Sequence, residues 1–152
     1  TIGDYNTASG SRSLYSNSSG GENTAQGYQS LLLNTTGNYN TANGSYSLLS
    51  NTTGSFNTAN GSHALLSNTI GSQNTSLGTN AGYNNTTGSN NTFIGYNTNG
   101  SSATVSNQIT LGNSSITSLR CAVQTISSLS DRRDKRDIQD LSVGLDFLMQ
   151  LK

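Results

Sequence analysis

An all-β fold is predicted, a parallel β-solenoid or β-roll built from 17-residue coils, and three observations predict it. Gly3, Gly20, Gly37, Gly54, Gly71 and Gly88 recur at a strict 17-residue step. Asn6, Asn23, Asn40, Asn57, Asn74 and Asn91 keep the same step, each followed by a threonine. The polar mass of the chain is Asn, Ser, Thr and Gly, while charged residues are 9% against about 25% in ordinary domains.

Further rows share the period. Gly10, Gly27, Gly44, Gly61, Gly78 and Gly95 form a second glycine series. Leu14, Leu31, Leu48 and Leu65 form an apolar row that Gly82 breaks, and Asn17, Asn34, Asn51, Asn68 and Asn85 precede the closing turn. The unit reads G-x-x-N-T-A-x-G-x-x-S-L-x-x-N-T-T. At about 3.3 Å per residue its contour is roughly 56 Å, room for two or three short strands joined by turns. Stacked coils set like residues about 4.8 Å apart, where asparagine ladders stabilise the stack. A leucine-rich repeat needs longer units, a calcium-binding roll needs an aspartate in every nonapeptide, and a helical repeat needs a 3.6-residue stripe. None of these is present.

Residues 1–99 are therefore expected to form six coils. Ordering one coil costs on the order of 25 kcal/mol at about 1.5 kcal/mol per residue. One leucine and one alanine per coil offset only a few kcal/mol by burial. Three chains packed with these rows against one another would supply the missing burial, so a homotrimer is expected.

Variation between repeats separates scaffold from surface. The slot before each repeat asparagine holds Tyr5, Glu22, Tyr39, Phe56, Gln73 and Asn90, and a second slot holds Arg12, Gln29, Tyr46, His63 and Asn80. Such free choice predicts that both slots face solvent. Tyr39, Tyr46, Phe56 and His63 are either a stacking surface for a host-cell glycan or a tolerant exterior. His63 is a single histidine in a variable slot, so no metal site is expected, and no cofactor. No apolar run is long enough to span a membrane, and neither membrane insertion nor a nucleic-acid partner is expected. With one cysteine, Cys121, an intrachain disulfide is excluded.

Charge is distributed unevenly. Residues 1–119 carry only Asp4, Arg12 and Glu22, and residues 120–152 hold the other eleven charged side chains. That break predicts a domain boundary near 120–130. The 17-residue step is expected to end after Gly100, giving way at 100–129 to a narrow β stem. Ile109 and Leu111 alternate there as a strand would, followed by Ile116, Leu119, Val123, Ile126 and Leu129. In 130–152 the spacing of Leu141, Leu145 and Leu148, with Ser142 as cap, predicts a short C-terminal helix over 143–151. The chain opens inside a repeat and stops in mid-pattern, so it is expected to be a piece of something longer.

Ser130 to Ile138 reads S-D-R-R-D-K-R-D-I. This segment resembles the start of the intramolecular chaperone domain that ends endosialidase-type phage tailspikes and related fibres. That domain opens with S-D-x-R-x-K-x-x-I, then a helix and L-K-P. Ser130, Asp131, Arg133, Lys135 and Ile138 match slot by slot, as do Leu151 and Lys152. The match covers about 23 residues, the beginning of such a domain. The repeat likewise resembles the N-T-A-x-G arrays of viral fibres and, more loosely, is similar to the β-roll heads of trimeric autotransporter adhesins.

The resemblance implies a structural and host-attachment fibre on a virion surface, a homotrimer meeting a host glycan or receptor and other tail proteins. It also implies one self-cleavage at the Leu129–Ser130 bond, with Ser130 as nucleophile and Lys135 as general base. The lysine must be neutral, which neighbouring cations or burial would favour. An autotransporter head would continue into heptads instead. A glycan-degrading tailspike would need paired carboxylates at a cleft, for which Asp4 and Glu22 are the one pair on offer in the array.

Overall fold

The computed structural model describes residues 3–120. It is all-β, with no helix among the described residues. Seven three-residue strands form one parallel sheet in chain order: β1 (Thr7–Ser9), β2 (Thr24–Gln26), β3 (Thr41–Asn43), β4 (Thr58–Asn60), β5 (Thr75–Leu77), β6 (Thr92–Ile94) and β7 (Ile109–Leu111). Every pairing joins residues 17 apart, from Thr7 with Thr24 to Thr92 with Ile109. The chain is a β-solenoid, one coil per repeat.

Each coil has one strand rather than two or three. The reason lies in the turns. The slot before the repeat asparagine has φ of 57–60° at Tyr5, Glu22, Tyr39 and Phe56, and the second variable slot is alike, at 58° in His63. The leucine slot is left-handed too, with φ of 49–51° at Leu14, Leu31, Leu48 and Leu65. Three such bends in each of coils 1 to 5, with Gly82 at the leucine slot of the fifth, leave room for extended backbone only at T-A-x. The turns still stack through their own amides: Leu31 N donates to Ser47 O at 3.0 Å and Thr52 N to Thr69 O at 2.8 Å.

The solenoid also runs past the expected end of the array. Coil 7 begins at Val105, and β7 pairs with β6 at the unbroken step. Gln108 N donates to Asn91 Oδ1 at 3.0 Å, as each asparagine amide does to the coil before it. The strand expected at 108–112 exists, but it is the last rung of the solenoid and not part of a separate stem. The solenoid unit closes at Ser118. Cys121, Val123, Ile126, the Leu129–Ser130 bond, Lys135 and the helix expected at 143–151 lie outside the described residues.

Inside coils 2 to 4 the middle strand residues and the leucines share one core. Ala25, Ala42, Ala59, Leu31, Leu48 and Leu65 are fully buried within a single chain, with Leu14 partly buried at the end of the stack. The leucine file is buried as expected, but its cover is the chain itself. These rows therefore do not supply the contact between three chains that was expected of them.

Two asparagine ladders complete the interior. Asn57 Nδ2 donates to Gly71 O at 2.8 Å, and its Oδ1 accepts the Asn74 amide at 3.0 Å. In the second ladder Asn68 Nδ2 donates to Asn51 Oδ1 and to Gly71 O, both at 2.9 Å. Among the described residues no buried side-chain nitrogen or oxygen lacks a partner. This satisfaction is what allows so polar an interior, since an unpaired buried amide costs about 1–3 kcal/mol. The first glycine of coils 1 to 6 is required here: a Cβ on Gly54 would collide with the Gly71 carbonyl and with Asn51 Oδ1.

Candidate binding surface

Because the coils superpose, each slot becomes a file of side chains running along the solenoid. The file before the repeat asparagines is exposed, as expected, at 87% for Tyr5, 48% for Tyr39 and 57% for Phe56. Tyr39 and Phe56 stack face to face, centroids 4.8 Å apart and planes 5° from parallel. Glu22 is next in the file. Its carboxylate accepts a hydrogen bond from the Tyr39 hydroxyl, which, with the carboxylate's charge, holds that phenol above its ordinary pKa.

The second variable file is more sheltered than expected: Gln29, Tyr46, His63 and Asn80 are half-buried, while Arg12 is exposed. Tyr46 stacks on His63 at 4.9 Å and 21°, and meets the edge of Tyr28 at 5.3 Å and 85°. Gln29 Nε2 donates to the Tyr28 hydroxyl at 3.0 Å, and His63 Nδ1 shares a 2.9 Å hydrogen bond with Ser62 Oγ. Tyr28 is a member of this cluster that sequence reasoning missed. Its slot holds Ser11, Ser45 and Ser62 in neighbouring coils, so no file of aromatics announced it.

The four expected binding residues thus resolve into two stacked pairs, Tyr39 with Phe56 and Tyr46 with His63. The structure records no aromatic contact between the pairs. One face of each ring is covered by its mate, Tyr28 takes a further side of Tyr46 and Glu22 engages the Tyr39 hydroxyl, so what remains for a ligand is the exposed surface of the Tyr39–Phe56 pair. Asp4 and Glu22 are in successive coils, joined by Glu22 N donating to Asp4 O at 2.9 Å. The Glu22 carboxylate engages Tyr39. Among the described residues no three His, Cys, Asp or Glu side chains cluster as metal ligands would.

A second surface was not foreseen at all. The flanking residues of each strand point outward, and the third strand position changes character along the stack. It is Ser9, Gln26, Asn43 and Asn60 in coils 1 to 4, then Leu77, Ile94 and Leu111 in coils 5 to 7. These three are 49%, 40% and 52% exposed, and Ile109 beside them is 74% exposed. The signal was in the sequence, in a row that turns from polar to apolar while the glycine row after it holds.

Compared with known proteins, the chain matches no family model, no curated protein and no solved structure.

Proposed function

We propose that this chain is a shaft segment of a viral attachment fibre, a homotrimer carried on the virion surface that meets a host-cell glycan through its exposed aromatic files. The observation that carries the reading is the stack itself: seven coils in unbroken 17-residue step, pinned by two internal asparagine ladders. Such a stack is stiff because each coil bonds to its neighbours through backbone and side chain together. Asp4 and Glu22 are the carboxylates among its described residues, and it repeats its surface along its length. Those properties suit a spacer that presents side chains at fixed intervals.

Paired aromatics support the adhesive half of the proposal. Flat apolar rings beside hydroxyl and amide groups are the usual means of holding a sugar ring, whose axial hydrogens pack on π faces while its hydroxyls hydrogen-bond. The resemblance of 130–152 to the opening of a self-cleaving chaperone domain supports the fibre half, with Ser130 and Lys135 as its proposed nucleophile and base. Adsorption of purified protein to host cells tests the reading. Tyr39→Ala with Phe56→Ala is expected to weaken binding while the melting temperature holds. Unchanged adsorption would remove the glycan role from these residues.

A further inference from the structure

We propose that the outer face of the strand sheet in coils 5 to 7, formed by Leu77, Ile94, Leu111 and Ile109, is the seam along which copies of this chain pack around a common axis. The inference rests on the homotrimer of the preceding reading and names the surface that would build it.

The alternation of the strands defines the face. In β2 to β6 the middle residue, Ala25, Ala42, Ala59, Ser76 or Phe93, is buried inside the coil, so both flanking residues project outward. Leu77 is the register partner of Ile94, and Ile94 of Leu111. Parallel partners stand about 4.8 Å apart, so the three side chains form one continuous apolar strip with Ile109 beside its far end. All four remain exposed within the chain, and its own apolar interior is complete without them.

Three features select a second copy as the occupant. The first is charge. Neither outward column of the seven strands holds a charged residue. Asp4, Glu22 and Arg12, the charges of the solenoid unit, all lie outside the strands. Next to a three-fold axis each residue lies beside its own symmetry copies, so charge there would repel itself. The second is period. A long flat face with one rung per coil is matched along its whole length only by a face with the same rung spacing, and a second copy in register provides it. The third is constancy. The exposed slot before the repeat asparagine accepts Tyr, Glu, Phe, Gln and Asn, whereas the first outward strand column is threonine in six successive coils and isoleucine in the seventh. An exposed position that does not vary between repeats has a constraint other than water.

The test uses the chain as it stands, residues 1–152. Asn43 and Asn60 already occupy the third strand position in coils 3 and 4, so L77N and I94N place in the seam a residue that these strands accept. Sedimentation equilibrium of the parent chain is expected to give the mass of three chains. The double variant is expected to dissociate, its dissociation constant raised on the order of 100-fold or more, with its far-ultraviolet circular dichroism unchanged. In a Cys121→Ser background, Ile94→Cys is expected to form interchain disulfides on mild oxidation and Gln73→Cys is not. A parent chain that is trimeric, with the double variant equally trimeric or with cross-linking at position 73 instead of 94, would overturn the seam and leave the trimer standing. A monomeric parent chain would overturn both.

Discussion

Gly82 and Phe93 exchange volume across the interior of the solenoid. A Cβ on Gly82 would stand 2.6 Å from Phe93 Cδ2 and 2.9 Å from Leu65 Cδ2. In the four preceding coils the Gly82 slot holds leucine, and the Phe93 slot holds alanine at positions 8, 25, 42 and 59. Where the leucine disappears, the ring of Phe93 fills the space and is itself fully buried. The interior thus keeps its density while two rows change residue, as close packing demands.

Phe93→Ala alone should destabilise by about 3–5 kcal/mol, because the site is left as a cavity. Gly82→Leu alone should also destabilise, by about 1–3 kcal/mol, through overpacking against the ring. The double variant restores the leucine–alanine pair of the other coils and should lie within about 1.5 kcal/mol of the parent. Gly82 has φ of 66°, near the 51° of Leu65, so the backbone admits the leucine. Urea denaturation of the four proteins checks this; a double variant as unstable as the sum of the singles would break the account.

The left-handed turn at Gln73, φ 61°, gives a second expectation. A β-branched residue is strained there, at a cost on the order of 1–3 kcal/mol. Gln73→Val should therefore lower the melting temperature, while Gln73→Asn, the residue found at the same slot in coil 6, should leave it nearly unchanged. Equal stability of the two variants would contradict the turn geometry.

Alkaline titration reads the contact between Glu22 and Tyr39. The hydrogen bond to Glu22 and its charge raise the pKa of the phenol. A raised folded value means that the contact stabilises the fold fully below the unfolded tyrosine pKa, near 10, and loses that contribution as pH climbs through the folded value. In difference absorbance against Tyr39→Phe, the Tyr39 phenol should ionise above the ordinary range. Glu22→Gln should bring it back, and salt should shrink the gap because the pair is exposed. A Tyr39 curve indifferent to Glu22→Gln would remove the contact.

For the C-terminal segment the expectation is chemical. In a chain carrying the complete chaperone domain, Ser130→Ala should abolish cutting at Leu129–Ser130. Lys135→Ala should slow it strongly, and Lys135→Arg should not rescue, since arginine stays protonated. Intact-mass spectrometry decides; a cut that persists in Ser130→Ala refutes the assigned nucleophile.

Much of the fold was legible because stacking forces the same residue into the same place. The asparagine and glycine rows announced the 17-residue coil, and the leucine row announced its interior. The single strand per coil was hidden because the bends are made by non-glycine residues such as Tyr39 and His63. Their mark is an omission: in an array rich in threonine, neither variable slot ever holds Val, Ile or Thr. The seventh coil was hidden because Val105, Gln108, Ile109 and Thr110 replace the repeat residues Gly, Asn, Thr and Ala together. Backbone bonds to β6, with the carboxamide of Asn91, keep it in step. The thin apolar rows suggested packing between chains because sequence cannot show that alanine and leucine of one coil face each other across a narrow interior. Tyr39 with Phe56 could be placed in one file from spacing alone, but the stacking of the two rings could not.

The claim on which all of this depends is that the asparagines at the repeat step are rungs of buried ladders. Hydrogen exchange of side-chain carboxamides, followed by nuclear magnetic resonance, tests it residue by residue. The amide protons of Asn40, Asn57 and Asn74, and of Asn51 and Asn68, are expected to exchange slowly, because each Nδ2 is buried and bonded to the neighbouring coil. Those of Asn84 and Asn97, exposed outside the strands, are expected to exchange at the rate of free amides. Uniformly fast exchange across all seven would mean that the ladders do not exist in solution, and the stacked solenoid would fall with them.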